Sequence, residues 1–458
     1  MNMDRTLNQL REIDKDELIG LVLSLQDEIK KLRAELEAAK KSGKRQASPF
    51  SKGSPKTNPK KPGRKPGKNH GNHHRRAIPE AVDREIHVPI KTGVIDQDGN
   101  PLCPDCHEPL DDYETHSQYQ TDIPPPPKPI VTKFNIETAR CLCCDRRFQG
   151  RHTEQTSDAL YAANNQLGPR LLGFSAELKY GFGLSFEKVQ KYIFKHYATR
   201  LSRSTLCRFS QRLTQKALPS YETLILAIRG SRIVCADETG WRINGSSAWL
   251  WVFSGKDVTV YLVDPSRGHE VAEKILGNDF TGKLSTDGFL AYDALNISPD
   301  NRQQCASHLI KRSKELQELK TRHAVLFSRQ VAAILKAGIK LHQRHDKLTE
   351  HGFNIQRGKI EAAMDRVLSK QLTDPDNARF ARHLLKHRRS LFTYLYDDQH
   401  ELAPTNNEGE REIRPAVITR KLGACNRSMQ GAATTSVLTS LGPVQKQLFT
   451  KFYFGLIT

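Results

Sequence analysis

The chain has 458 residues, is 37% hydrophobic, and carries 71 Lys and Arg against 51 Asp and Glu, a formal net charge of +20. That length has room for roughly three domains of about 150 residues each, and the basic excess predicts a polyanionic partner, bound through counterion release before any base is read. No apolar run approaches the ~18 residues of a spanning helix, and the charged start (MNMDRTLNQLREIDKDE) reads against a secretory signal.

The first element is a heptad. Leu18, Val22, Leu25, Ile29, Leu32, Leu36 and Ala39 alternate in steps of four and three among charged residues, the seam of a short coiled coil or of an amphipathic helix packed on its own protein. From Lys40 to Pro79 there is no acid, while Pro and Gly recur among KKSGKR, KTNPKKPGRKPGK and HHRR. Such a run cannot build a core. Arg64 and Lys65, between Pro-Gly pairs, form a narrow extended strip suited to a minor groove.

Next come Cys103-Pro104-Asp105-Cys106 and, after DIPPPPKP and a strand-like IVTKFNIETAR, Cys141-Leu142-Cys143-Cys144. Two such pairs predict a four-thiolate zinc site from Cys103, Cys106, Cys141 and Cys144, structural because four thiolates leave no open position. Cys143 is a competing ligand. The odd total of nine cysteines otherwise reads as reduced thiols of an intracellular protein.

Residues 164–226 carry apolar positions at helical spacing, with Ser202 or Ser204 as the N-cap of the last helix. Arg203, Arg208 and Arg212 recur on one side, so a helix-turn-helix DNA reader stands beside plain helical packing.

Then SRIVCADETGW reads as a buried strand from Ile233 to Ala236 ending at Asp237, followed by an NGSS turn, two further strands (AWLWVFSG, VTVYLVDP), a helix (GHEVAEKILG) and a strand ending at Asp287-Gly288. Two carboxylates at neighbouring strand ends can share a divalent cation, although Asp-Gly is also a common turn pair. Glu238 should point to the face opposite Asp237, and Trp241 should pack in the core. In NNEGEREIRP, Glu410 is either first-turn helix chemistry after a cap at Asn407 or a metal ligand delivered beside Arg411 and Arg414, which would contact phosphate. Pro415 should end or kink that helix. His308 is either structural or an auxiliary to the acids.

These motifs, in this order, resemble the DDE transposases of the insertion sequence sixty-six family. The residues that carry the likeness are KPGRKPGK in the linker, the paired-cysteine segment, Asp237-Glu238-Thr239-Gly240-Trp241, Thr286-Asp287-Gly288, Cys305-Ala306-Ser307-His308-Leu309 and Asn406-Asn407-Glu408-Gly409-Glu410-Arg411 through Arg414-Pro415. Thr286 replaces the Ser of S-D-G, and Thr405 stands where the family usually has Asp. The resemblance implies an α/β, ribonuclease-H-like core, Asp237, Asp287 and Glu410 as a triad holding Mg2+ (or Mn2+), and a helical insertion before the last acid. It also implies double-stranded DNA as partner (element ends and target), a homo-oligomer, helper proteins of the same element, and residence in the bacterial cytoplasm on the nucleoid rather than at a membrane.

The expected organisation is a coiled-coil-like helix at 1–40, a basic disordered linker at 41–79, a zinc-binding domain at 80–155, a helical DNA-binding region at 156–230, and a catalytic domain at 231–458 with the helical insertion at about 309–403. The rivals are a zinc-dependent DNA-binding regulator, which needs no triad, and a catalytically inactive, domesticated relative.

Overall fold

The structure is a computed structural model that describes residues 14, 20, 22–33, 35, 77–155, 167–423 and 425–442. The calls on Arg64, Lys65, Leu18, Leu36 and Ala39 lie outside the described residues. The chain divides into two compact units, Lys52–Pro127 and Met1–Ser51 with Lys128–Thr458.

In the first unit, Cys103 opens a tight turn: its N–H donates to Glu108 O at 3.0 Å and its carbonyl accepts the His107 N–H at 2.9 Å. In the second unit residues 22–33 are helical, and Val22, Leu25, Ile29 and Leu32 are all exposed. The strand-like stretch after the prolines pairs only at its end, where β1 (Thr138–Arg140) runs antiparallel to β2 (Arg147–Gln149). Proline lacks the N–H that a ladder needs, and the residues before β1 are largely exposed.

Three helices follow: α1 (Pro169–Ala176), α2 (Phe186–Tyr197) and α3 (Arg203–Arg229). Leu178, Val189, Ile193, Leu201 and Leu206 bury one small core among them. Ser202, not Ser204, caps α3, accepting the Thr205 N–H at 3.0 Å. Arg203, Arg208 and Arg212 are exposed.

The central element is a five-stranded mixed sheet. Its strands are β3 (Ile233–Ile243), β4 (Ser246–Ser254), β5 (Thr259–Asp264), β6 (Lys283–Thr286) and β7 (Arg302–Gln304), in the order β5-β4-β3-β6-β7. β3 to β5 form an antiparallel meander, and β6 and β7 join parallel to β3. The meander's first turn is Asn244-Gly245 with φ of +49° and +80°, the mirror-image turn whose twist suits a hairpin. β3 therefore does not end at Asp237 as the apolar run suggested. Its partner β4 is long enough to keep pairing through Trp241 to Ile243, so Asp237 sits mid-strand.

The helix α4 (His269–Leu276) connects the meander to β6. With α3 and α10 (Met429–Leu441) it covers one sheet face, burying Val234, Ala236, Trp251 and Phe253. α9 (Asn407–Gly423) covers the other face, placing Ile413 and Ala416 against Trp241, Ile243, Leu250 and Val252. α9 continues through Pro415, so this proline does not end the helix. Its missing N–H costs one intrahelical bond, and the burial of Ile413 and Ala416 on either side holds the helix in place. On the edge strand, Ser440 and Ser436 of α10 accept the N–H groups of Tyr261 and Val263 at 2.8 and 2.9 Å, which blunts an otherwise open edge.

Between β7 and α9 lies a helical block of α5 (Ala306–Leu319), α6 (Ala324–His342), α7 (Glu350–Leu368) and α8 (Pro375–Lys386). It has its own core, including Leu335, Met364, Leu384 and Tyr394. Asp397, fully buried, ties this block to the sheet: Arg232 Nη2 lies 3.2 Å from its Oδ2 and Lys283 Nζ 2.7 Å from its Oδ1.

Candidate active site

Side chains alternate across a strand, so the residues of β3 sort by face. Asp237 shares its face with Trp241 and Ile243, which pack on α9. Glu410 stands three residues before the buried Ile413 of that helix, on the same side, and is thereby carried toward Asp237. The parallel register Ile233↔Lys283 through Cys235↔Ser285, continued two residues, sets Asp287 opposite Asp237. Gly288, at φ +92°, turns the chain immediately after Asp287, and Phe289 N–H closes that turn on Asp287 Oδ1 at 2.8 Å. One strand centre, one strand end and one helix start thus converge from positions 173 residues apart in the sequence.

The electrostatics record this convergence. Burial, followed by the charges of Glu238, Asp287 and Glu410, pushes the Asp237 carboxyl up to about 7. The hard oxygen donors of these acids are of the kind that suits a divalent cation, but their ligand atoms do not all lie within 4.8 Å of one another; the group drawn that close among the described residues is Cys305, His308 and Glu410.

Glu238 occupies the opposite face. Its Oε1 accepts Arg267 Nη2 at 2.8 Å and its Oε2 accepts the Tyr292 hydroxyl at 2.9 Å, with 1% of its side chain exposed. Arg267 was not singled out in the sequence, where PSRGH reads as an ordinary loop. Here its guanidinium lies between the rings of Trp249, at 4.2 Å, and Phe289, at 3.8 Å. Both stacking and ion pairing therefore fix a cation beside the acids. Trp241 is core packing, as expected, with its indole N–H donating to Asn426 Oδ1 at 2.7 Å.

A second cluster joins the segments that carry the acids. Asn406, wholly buried, donates its side-chain amide to Ala236 O at 2.7 Å, next to Asp237, and its N–H to Cys305 Sγ at 3.2 Å. Its carbonyl accepts the Glu410 N–H at 3.1 Å, so the helix is entered at Asn406, one residue before the expected cap. Cys305 also begins α5, one turn from His308. The Cys305, His308 and Glu410 ligand atoms lie within 4.8 Å of one another, and His308 Nδ1, which makes no hydrogen bond, faces Glu410 Oε1 at 3.8 Å. The adjoining Cys305 side chain, then the Glu410 and Asp287 carboxylates, push His308 up to about 9 against the cost of burial. Arg411 and Arg414 are exposed on α9.

The cysteine pairs form matching turns. Asp145 N–H donates to Cys141 O at 3.0 Å and Cys141 N–H to Arg146 O at 2.8 Å, as at Cys103, and both His107 and Asp145 have φ of +64°. The backbone N–H groups of Cys106 and Asp105 hold the Cys103 thiol below its usual range, and those of Cys144 and Cys143 do the same for Cys141. By this correspondence Cys144 occupies the place of Cys106, and Cys143 that of Asp105. None of the nine cysteines is in a disulfide, and no helix among the described residues is long and apolar enough to cross a membrane.

No curated protein matches this chain. The family model described as Transposase IS66 family matches residues 164–434, a span that begins before α1, ends within α10 and takes in all three acids with the helical block between them. The chain belongs to the IS66 family of transposases.

Proposed function

We propose that the chain cleaves DNA at insertion-sequence ends and transfers the freed strand into target DNA, with Asp237, Asp287 and Glu410 as the acids of a ribonuclease-H-like core. The observation that carries this reading is that Asp287 and Glu410, brought in at the end of β6 and the start of α9, lie near enough to Asp237 for their charges to add to burial in opposing its ionisation. A sheet with an antiparallel meander, two added parallel strands and a closing helix that brings the last acid is consistent with it.

In the first step water attacks the scissile phosphorus and the 3′ oxygen leaves, giving a 3′-hydroxyl and a 5′-phosphate. In the second that hydroxyl attacks a target phosphate and displaces its 3′ oxygen. Two divalent cations held by the three acids, Mg2+ or Mn2+, would supply Lewis acids for the oxygens of both displacements. Asn406 and Cys305 hold the Glu410 helix start against the Asp237 strand, and His308 faces the Glu410 carboxylate across 3.8 Å. Arg411 and Arg414, at the exposed surface of the same helix, would hold phosphate oxygens. The deciding experiment is a cleavage assay on DNA carrying the ends of the source element, with and without Mg2+. Absence of any metal-dependent nick would sink the reading.

For the cysteine pairs we infer one structural zinc ion held by Cys103, Cys106, Cys141 and Cys144. The two turns with backbone N–H groups aimed at sulfur support it, since that arrangement favours thiolates. Elemental analysis of the purified chain should find one zinc per chain, and Cys103→Ser should lower that content and loosen the N-terminal third. Zinc-free native protein would refute the assignment.

Synapsis of two element ends calls for self-association, and the exposed apolar face of residues 22–33 is suited to it. Replacing Leu25 and Leu32 by Lys should shift the oligomer toward monomer in light scattering. An unchanged mass would reduce that helix to another role.

A further inference from the structure

Beside the acids, a cavity of about 380 Å³ opens between the sheet and the helical block. Asp287, Gly288 and His308 form its catalytic end. Leu309 of α5 and Phe380 of α8, both buried, supply its apolar floor, and Arg312 and Arg379 stand at its rim. The volume falls in the small-ligand range of about 300–1,000 Å³, enough for one nucleotide and far too small for a duplex.

The charge arrangement selects an anion. Among the described residues Arg312 is paired with Glu315 of its own helix, at 3.4 Å, and Arg379 with Asp376 of its own, at 3.3 Å. Exposed pairs three residues apart contribute little and are screened by solvent, so a phosphate can displace them. Asp376, at the rim, also meets Lys320 at 2.7 Å, a cation it shares with Asp374 at 2.8 Å. A hydrogen-bonding cation at two corners, an apolar floor and a phosphoryl-transfer site at one end match the three parts of a nucleotide.

We propose that this cavity seats one unpaired nucleotide of the strand that passes the acids, its phosphate on Arg312 and Arg379 and its base or sugar over Leu309 and Phe380. The helical block would then be a strand-holding element rather than a spacer. The proposal rests on the transposase reading for the identity of the strand, and its test uses binding, so that failure of cleavage and failure of the pocket remain distinguishable.

The probe is a 20-base-pair DNA duplex with a three-nucleotide 3′ thymidine overhang, compared with the same duplex blunt-ended, by fluorescence anisotropy on the full chain without Mg2+. The native chain should prefer the overhang by about tenfold or more, as expected for two charge-assisted phosphate contacts. Arg312→Gln with Arg379→Gln, which keeps the aliphatic stems and leaves the core untouched, should erase that preference while blunt-duplex affinity and thermal midpoint stay unchanged. Arg379→Lys, retaining the charge, should keep part of it. A native chain that does not distinguish the probes, a preference that survives the double substitution, or an equal loss of affinity for both probes would overturn the proposal.

Discussion

Asp237→Asn, Asp287→Asn and Glu410→Gln should each reduce strand transfer by at least about 10²–10³-fold, with DNA affinity near that of the native chain. Each change removes one charge from the acid cluster and leaves the basic surfaces alone. Asp237→Asn has a second expected consequence that separates a metal site from ordinary polar packing. Because neighbouring carboxylates and burial oppose its ionisation, the metal-free Asn variant should be more stable than the native chain, by on the order of 1 kcal/mol. Mg2+ should raise the melting temperature of the native chain by preferential binding to the folded state and do so less for the variant. Near-native strand transfer by any of the three variants would remove that residue from the triad. An identical Mg2+ response in native chain and Asp237→Asn would remove Asp237 from the metal site.

The largest stability effect should come from Asp397, far from the chemistry. It is buried between Arg232, which starts the approach to β3, and Lys283 of β6, and it also accepts the Glu401 and Leu402 N–H groups at 2.8 and 2.9 Å. Asp397→Ala would take the carboxylate from Lys283 and leave Arg232 with Glu401, at 2.7 Å, beside a void at the junction of sheet and helical block. Removing one partner of a buried pair costs about 3–5 kcal/mol, reduced here to roughly 2–4 because Arg232 is partly exposed. Despite the cost of burial, Arg232 and Lys283 hold the Asp397 carboxyl well below the usual carboxylate range. A pKa depressed on folding gives stability that is present above the unfolded value of about 3.9 and is lost as pH falls below it. Denaturant titrations should therefore show the native advantage over Asp397→Ala constant near neutrality and shrinking below pH ~4. An equal advantage at acid and neutral pH would mean that packing, not charge, holds the junction.

Much of this protein was legible in its sequence because the signals are local. β-Branched and aromatic runs bounded by Asn-Gly and Asp-Gly marked the strands of the meander and the end of β6, apolar spacing marked the helices, and the acids stood in distinctive contexts. Face alternation in a strand even separates Asp237 from Glu238 before any coordinates, since it needs only a period of two. Where β3 ends was not legible: an apolar run stops at Asp237, but the strand continues because β4 is there to pair with it. That α9 would run on past Pro415 was not legible either, because the burial of Ile413 and Ala416 on the sheet, to either side of it in sequence, offsets a missing N–H that would end an isolated helix.

What only the tertiary structure decided is the company each residue keeps. Arg267 has no periodicity or motif to announce it, and it matters because Trp249, Phe289 and Glu238, from three different elements, surround it. Asn406 looked like the neighbour of a cap and is a buried hub between Ala236, Cys305 and Glu410. Sequence by itself determined the types and order of the elements and named the three acids, because propensity and motif are properties of neighbouring residues. The meeting of those acids, the buried charge at Asp397 and the cavity beneath Arg312 and Arg379 depend on contacts between residues far apart along the chain, which exist only once the sheet and its helices have closed.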